Sequence, residues 1–359
     1  MSEARTETSG GLWPTLLSVW RHRFFLTPFK LANIGLANLQ WLLRTEPVIG
    51  MPYAVTIEPT NFCNANCRLC PVGQGHTTWE KGVLSWERYR EWIDRYSRWI
   101  YCLGLSLWGD PLTVHHIYRM IAYAHRARIW TCLSTNLHAF RQERGDADAL
   151  VESGLDDLTC SLHAASQRTY EIYQPGRDFP ATLARVRALT EARRRLGGTT
   201  PAIHLNFVVT RFNEREIPAF LQLARDLGCE PKLTSPSLNL RFLPPEDRDR
   251  EVENRLRNWL PGNPAFVKKP YQRLLEGKNV EDGNARHQCR ELWRHATITW
   301  DGMVVPCSGP RRREEAFGDL SVQSLGRIWN GPRYRMARRS LTRPAADDVV
   351  CAHCSQNNL

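Results

Sequence analysis

The chain has 359 residues, with 48 Lys and Arg against 37 Asp and Glu, and 11 Cys. That length suits one large domain and a smaller one, and ordinary apolar and charged fractions exclude wholesale disorder. No apolar run is long enough to cross a bilayer, and the polar opening MSEARTETSG is not a secretory signal, so the expected location is cytoplasmic. The net charge of +11 comes almost wholly from Arg and is dispersed; Arg311-Arg312-Arg313, for instance, is answered by Glu314 and Glu315.

Residues 1–50 read as an N-terminal helical extension. Within it, 12–45 form one or two helices in which Trp13, Trp20, Phe24, Phe25, Phe29 and Trp41 alternate with Arg and Lys. An aromatic stripe at helical spacing caps a core. The second reading of the same segment is peripheral contact with a membrane surface through residues 12–45.

From Pro52 the chain alternates strands and helices. PYAVTIEPT, YCLGLSLWG, IWTCLST, LDDLTCSLH, AIHLNFVVT and PKLTSPS read as strands. Helices fall at 84–98, 113–128, near 143–153, through 166–196, and at 213–228. Six such repeats predict an α/β fold, a partial (β/α)6 parallel barrel over 51–236, with the ligand site at the C-terminal strand ends. Residues 237–288 are charged and Pro-rich and read as a connector. Residues 289–359 read as a small α+β domain: a hairpin turning at Asp301-Gly302, a helix near 322–341, and Cys351-Ala-His-Cys354.

The cysteines fall into groups. Cys63, Cys67 and Cys70 have the spacing C-x3-C-x2-C in a loop after the first strand. Three thiolates on one loop hold three irons of a cubane and leave the fourth open to another chelator. Zinc is the competing reading, but it prefers four ligands, often as paired C-x2-C units. Cys289, Cys307, Cys351 and Cys354 suffice for a second 4Fe–4S cluster, with a four-cysteine zinc ribbon as the alternative. Cys102, Cys132, Cys160 and Cys229 stand singly and read as small buried hydrophobes.

These motifs resemble the radical S-adenosylmethionine superfamily over residues 52–236. The resemblance implies a primary 4Fe–4S cluster, S-adenosyl-L-methionine on its open iron, and a 5′-deoxyadenosyl radical. It also implies cofactor contacts. Leu107-Trp108-Gly109-Asp110-Pro111 resembles the family's Gly-Gly-Glu-Pro turn, with Trp108 and Asp110 as departures, and Trp108, Gly109 and Asp110 would meet the methionine amino group. Ser134 and Asn136 would lie at the ribose. Ser161 would make a polar contact, and Gln174 stands where relatives carry an Arg that grips the carboxylate; Arg177 or Arg168 are the substitutes. Leu69 stands where an aromatic residue precedes the last cysteine, a position that packs on adenine, and Val208 and Val209 would also pack there. The second cysteine group resembles the twitch domain, a shortened SPASM domain, with spacing like that of radical dehydrogenases acting on aminocyclitol alcohols.

The expected function is therefore hydrogen abstraction from a small molecule (a sugar, an aminocyclitol or a lipid-like compound), with oxidation or epimerisation assisted by the auxiliary cluster. A one-electron reductant such as flavodoxin or ferredoxin is the expected partner. The alternatives are a peptide-modifying SPASM maturase and, outside enzymes, a basic zinc-binding nucleic-acid protein. The latter needs basic residues interleaved with aromatics, which only the N-terminal region approaches. No catalytic acid, base or hydrogen donor is legible.

Overall fold

The structure is a computed structural model and describes residues 24–243, 248–277, 289–309, 312–341 and 350–351. All six expected strands form: β1 Ala54–Ile57, β2 Cys102–Gly104, β3 Trp130–Thr135, β4 Asp157–Ser161, β5 Ala202–Val208 and β6 Glu230–Thr234. They pair in parallel and in chain order, from Ala54 opposite Cys102 to Val208 opposite Thr234. Side chains alternate faces along a strand. In β3, Thr131, Leu133 and Thr135 are buried while Trp130, Cys132 and Ser134 stay half-open.

Helix α1 (Pro28–Leu43) precedes β1, and helices fill the crossovers: α2 Trp86–Tyr96, α3 Ile117–Arg126, α4 Asp146–Glu152, α5 Gln167–Tyr173, α6 Phe179–Arg195 and α7 Ile217–Asp226. Their starts are written in the sequence. Asp178 caps α6 by accepting from the Ala181 amide at 2.9 Å, with Pro180 in the first turn. Their inner faces follow helical spacing, as Ile117, Met120, Ile121 and Ala124 do in α3.

The sheet does not stop at six strands. β7 (His295–Ile298) pairs in parallel with β1, from Ala54 opposite His295 to Ile57 opposite Ile298. The expected hairpin then forms, β7 turning through Asp301-Gly302 into β8 (Met303–Val305), and β9 (Gly318–Asp319) follows antiparallel. Gly302 sits at φ +93°, a conformation few other residues adopt. The strand order is β6-β5-β4-β3-β2-β1-β7-β8-β9, an open sheet.

Two stretches carry more structure than the sequence suggested. The 237–288 stretch contains α8 (Arg248–Trp259) and α9 (Lys269–Leu275). Their apolar residues join Leu238, Leu240, Leu243, Leu260, Val267 and Tyr271 in a second core, and that core includes Leu69. The Tyr271 hydroxyl accepts from the Leu238 amide at 2.8 Å. After α10 (Glu291–Arg294), the helix expected near 322–341 is two helices, α11 (Leu325–Trp329) and α12 (Pro332–Arg339). Gly331-Pro332 breaks them apart, because Pro opens a helix and does not continue one. Cys160 and Cys229 are buried as expected, whereas Cys102 and Cys132 are half-exposed and face each other across β2 and β3 at 3.7 Å. Trp13 and Trp20 lie outside the described residues. No helix among the described residues is long and apolar enough to cross a membrane.

His163 ends β4's extension with φ +58°, and its Nδ1 accepts from the Val208 amide at 3.2 Å. Burial lowers its pKa to about 4. An unfolded histidine titrates near 6.5. Between those values the unfolded chain binds a proton that the folded chain refuses, so stability falls as pH drops through that window. The expected loss is up to about 3 kcal/mol. His163→Asn keeps an acceptor and suits the left-handed backbone. Its urea midpoint should therefore fall less than the parent's between about pH 7 and about pH 4.5; equal losses would clear His163 of the effect.

Candidate iron–sulfur and cofactor site

The cysteine loop leaves the C-terminal end of β1. Side chains at its start pin it to the segment before α2. Thr60 Oγ1 donates to Gly82 O at 2.7 Å, Asn61 Nδ2 donates to Glu80 O at 2.7 Å, and Asn61 Oδ1 accepts from the Gly82 amide at 2.9 Å. Further on, the Cys70 amide donates to Cys67 O, and Gln74 Nε2 donates to the same carbonyl, both at 3.1 Å. Gly73 lies so close that a Cβ there would stand 2.7 Å from the Cys67 amide nitrogen. The Arg68 amide donates to Tyr173 O at 3.0 Å, tying the loop to the end of α5.

Cys63, Cys67 and Cys70 are each partly exposed. Burial raises the Cys63 thiol to about 11, and the nearby Asp110 and Cys70 add to the rise. Cys67 is pushed further in the same direction, by burial first and then by Cys70 and Cys63. The three sulfurs are thus close enough to repel one another as thiolates. A cationic metal centre reverses that cost, since metal-bound thiols are held deprotonated. Among the described residues, no three His, Cys, Asp or Glu side chains form a group that one metal ion could take. A cubane asks something different, because each of its sulfur ligands holds its own iron.

The turn after β2 lies directly on this loop. The Asp110 amide donates to Phe62 O at 2.8 Å, and a Cβ on Gly109 would collide with Thr60 O and stand 2.5 Å from Phe62 O. The Asp110 carboxylate is buried and committed. It accepts from the Leu112 amide at 3.0 Å, from Thr135 Oγ1 at 2.9 Å and from the Asn136 amide at 2.8 Å. Its carboxylate therefore faces the end of β3, and only its backbone borders the loop. Asn136 in turn donates through Nδ2 to Asn64 Oδ1 at 2.9 Å and to Cys63 Sγ at 3.7 Å.

The other expected positions fall as follows. The Ser134 amide donates to Ser106 Oγ at 3.3 Å. Gln174 is fully buried; its Oε1 meets His138 Nε2 at 2.8 Å, and its Nε2 donates to Ser161 O at 3.0 Å. It links the end of β4 to the loop after β3, with both of its polar atoms engaged and its side chain shut away from solvent. Arg177 is close enough to Cys67 to favour its thiolate. Leu69 is buried in the second core, and Asn239 Nδ2 donates to its carbonyl at 2.8 Å. The position expected on adenine thus packs on the 238–271 stretch.

In the C-terminal segment, Cys289, Cys307 and Cys351 are partly exposed, and Cys354 lies outside the described residues. Cys307 and Cys351 both act electrostatically on the buried Tyr334, so both lie near it. Cys289 acts on Arg44 at the end of α1.

One feature was not foreseen. A small pocket, partly open to solvent, is lined by Glu58, Asn61, Val72, Thr77, Trp79, Trp108, Phe242 and Thr299. It touches the cysteine loop, the Gly109 turn and the hairpin. Glu58 is buried; it accepts from the Trp108 amide through Oε1 and from the Trp300 amide through Oε2, each at 3.3 Å. Burial raises its pKa to about 7, against the pull of those two amides. The signal was present as an acid closing the otherwise apolar strand AVTIE, five positions before Cys63.

Gly109→Ala tests the packing of turn on loop. The added methyl forces them apart, and iron retained after anaerobic reconstitution should fall at least about tenfold. Gly35→Ala, whose methyl meets nothing within 4 Å, should retain full iron.

Against known proteins, residues 57–224 match the family model described as the Radical SAM superfamily, and residues 289–355 match that of the SPASM iron–sulfur cluster-binding domain. A cofactor-modifying protein for tungsten-containing aldehyde ferredoxin oxidoreductase from Pyrococcus furiosus is 24% identical over 310 residues, covering 79% of this chain and 82% of its own. Among solved structures, Streptococcus suis SuiB bound to S-adenosylmethionine matches with a TM-score of 0.56 at 15% identity, covering 94% of this chain and 74% of SuiB. SuiB bound to its precursor peptide SuiA gives 0.58 at 14% identity, with the same coverage. The open sheet and the two domain matches agree, so the fold and the cofactor chemistry have one source: the chain is a radical S-adenosylmethionine enzyme with a C-terminal SPASM-type iron–sulfur domain.

Proposed function

We propose that Cys63, Cys67 and Cys70 hold the primary 4Fe–4S cluster and leave one iron for S-adenosylmethionine. Cys289, Cys307, Cys351 and Cys354 hold an auxiliary 4Fe–4S cluster. When bound, these groups supply a 5′-deoxyadenosyl radical that abstracts hydrogen and an acceptor for a second electron. Trp108, Gly109, Asp110, Ser134, Asn136 and Ser161 frame the S-adenosylmethionine side. Arg177 takes the carboxylate-binding role, because Gln174 is spent on His138 and Ser161.

The substrate is a small molecule, and the cavity beside the cysteine loop carries that reading. Its walls are mostly apolar, from Trp79, Trp108, Phe242 and Val72, with a few polar groups among them. This is the usual make-up of a small-ligand site. A sugar, an aminocyclitol or a lipid-like compound is the substrate class we propose. The Pyrococcus furiosus relative is named as a cofactor-modifying protein, which agrees with a small substrate. A peptide is the second reading, since SuiB of similar fold binds a precursor peptide.

Among the described residues lining the cavity, Glu58 alone is ionisable. Its position near neutrality suits proton exchange at physiological pH. Oxidation of an alcohol or amine carbon removes one hydrogen atom, one electron and one proton. Glu58 takes the proton.

Four outcomes are expected under anaerobic conditions. Cys63→Ala, Cys67→Ala or Cys70→Ala abolishes S-adenosylmethionine cleavage, and cleavage surviving in any of them refutes the primary ligand set. Cys351→Ala spares uncoupled cleavage but blocks product. With deuterated sugars and aminocyclitols, label appears in 5′-deoxyadenosine; label arriving only from a peptide overturns the small-molecule reading. Glu58→Gln lowers turnover about 100-fold and flattens the limb of the pH profile near 7, with uncoupled cleavage retained.

A further inference from the structure

Helix α1 is inside out. Its buried residues are Lys30, Asn33, Ala37 and Gln40, three of the four polar. Each polar side chain reads backbone on the body of the protein. Lys30 Nζ donates to Arg128 O at 2.6 Å, Asn33 exchanges bonds with the Met51 carbonyl and amide at 3.0 and 2.9 Å, and Gln40 Oε1 accepts from the Ile49 and Gly50 amides. The opposite face is open and, apart from Asn38, apolar. Ala32, Gly35, Leu39 and Leu42 run along it at helical spacing, flanked by Leu31 and Leu43. Leu39 is 50% exposed, Leu42 68%, Leu43 61% and the following Ile49 80%. A helix that served only the fold would point these side chains the other way.

The surroundings of that face say what it meets. Exposed arginines lie over aromatic rings around it: Arg98 over Phe29 at 4.2 Å, Arg128 over Phe24 at 5.5 Å and Arg290 over Trp41 at 4.4 Å. No acidic residue occurs between Glu7 and Glu46, a stretch that includes Arg21, Arg23 and Arg44 besides the buried Lys30. Apolar side chains, interfacial aromatics and a cationic rim form the pattern of a helix lying in the plane of a bilayer surface. A second copy of this face would set arginine against arginine, which disfavours self-association.

We infer that α1 docks the enzyme on anionic lipid, with Leu39, Leu42, Leu43 and Ile49 in the headgroup–acyl boundary and Arg98, Arg128 and Arg290 on lipid phosphates. This inference is independent of how the cluster site is read. Sedimentation of the full chain with vesicles tests it. Binding to phosphatidylcholine–phosphatidylglycerol vesicles should exceed binding to phosphatidylcholine alone by at least about tenfold and weaken as salt rises. L39Q/L42Q should lose about tenfold or more, with unchanged melting and S-adenosylmethionine cleavage. R98Q/R290Q, which leaves the helix intact, should lose the preference for anionic lipid. Absence of binding by the parent, or equal binding by both variants, overturns the inference. A dimer in lipid-free buffer that L39Q/L42Q dissolves would assign the face to a second copy instead.

Discussion

The buried carboxylate of Asp110 is the joint on which the site depends. It is bound by three donors from two elements, the Leu112 amide on its own turn and Thr135 and Asn136 at the end of β3. Its backbone meanwhile bonds the cysteine loop through Phe62. Three strand ends are therefore fixed relative to one another by a single residue. Burial alone raises the pKa of such a group, and the three donors oppose that rise. Asn136, held by its amide, is then placed to reach Asn64 and Cys63.

Glu58 does for the C-terminal segment what Asp110 does for β3. One of its oxygens holds the Trp108 amide, the other the Trp300 amide, and its own amide donates to Ile298 O at 2.9 Å. The hairpin, the Gly109 turn and the start of the cysteine loop thus share one residue. The cavity lies among these three, so its shape follows from the same contacts that join the C-terminal strands to the sheet.

The sequence announced the six βα repeats because each strand was short, β-rich and followed by a helical run. It also announced the hairpin, through Asp301-Gly302, and both cysteine groups, through spacing. What it hid depends on contacts distant in the chain. Leu69 could be assigned to adenine only because nothing local shows that Leu238 to Tyr271 fold back over it. Gln174 is an unremarkable residue until His138 and Ser161 O close on it. The parallel pairing of β7 with β1 was illegible for the same reason, since a hairpin read alone does not say which edge it joins. Helix α1 was legible as amphipathic, but periodicity cannot tell which face turns inward, and here the polar one does.

The pairing of β7 with β1 sets an order in time. Ala54 waits for His295, about 240 positions later in synthesis. Until then β1 is the bare edge of a half-built sheet, and the cysteine loop hangs from that edge with Glu58 missing its Trp300 partner. An unpaired parallel edge is slow to close and prone to strand exchange. Metal loading during translation would act on a loop that lacks half its supports. The supports of the cysteine loop are thus complete only once residues 295–300 have been made, and truncations that remove them should be felt at cysteines far earlier in the chain.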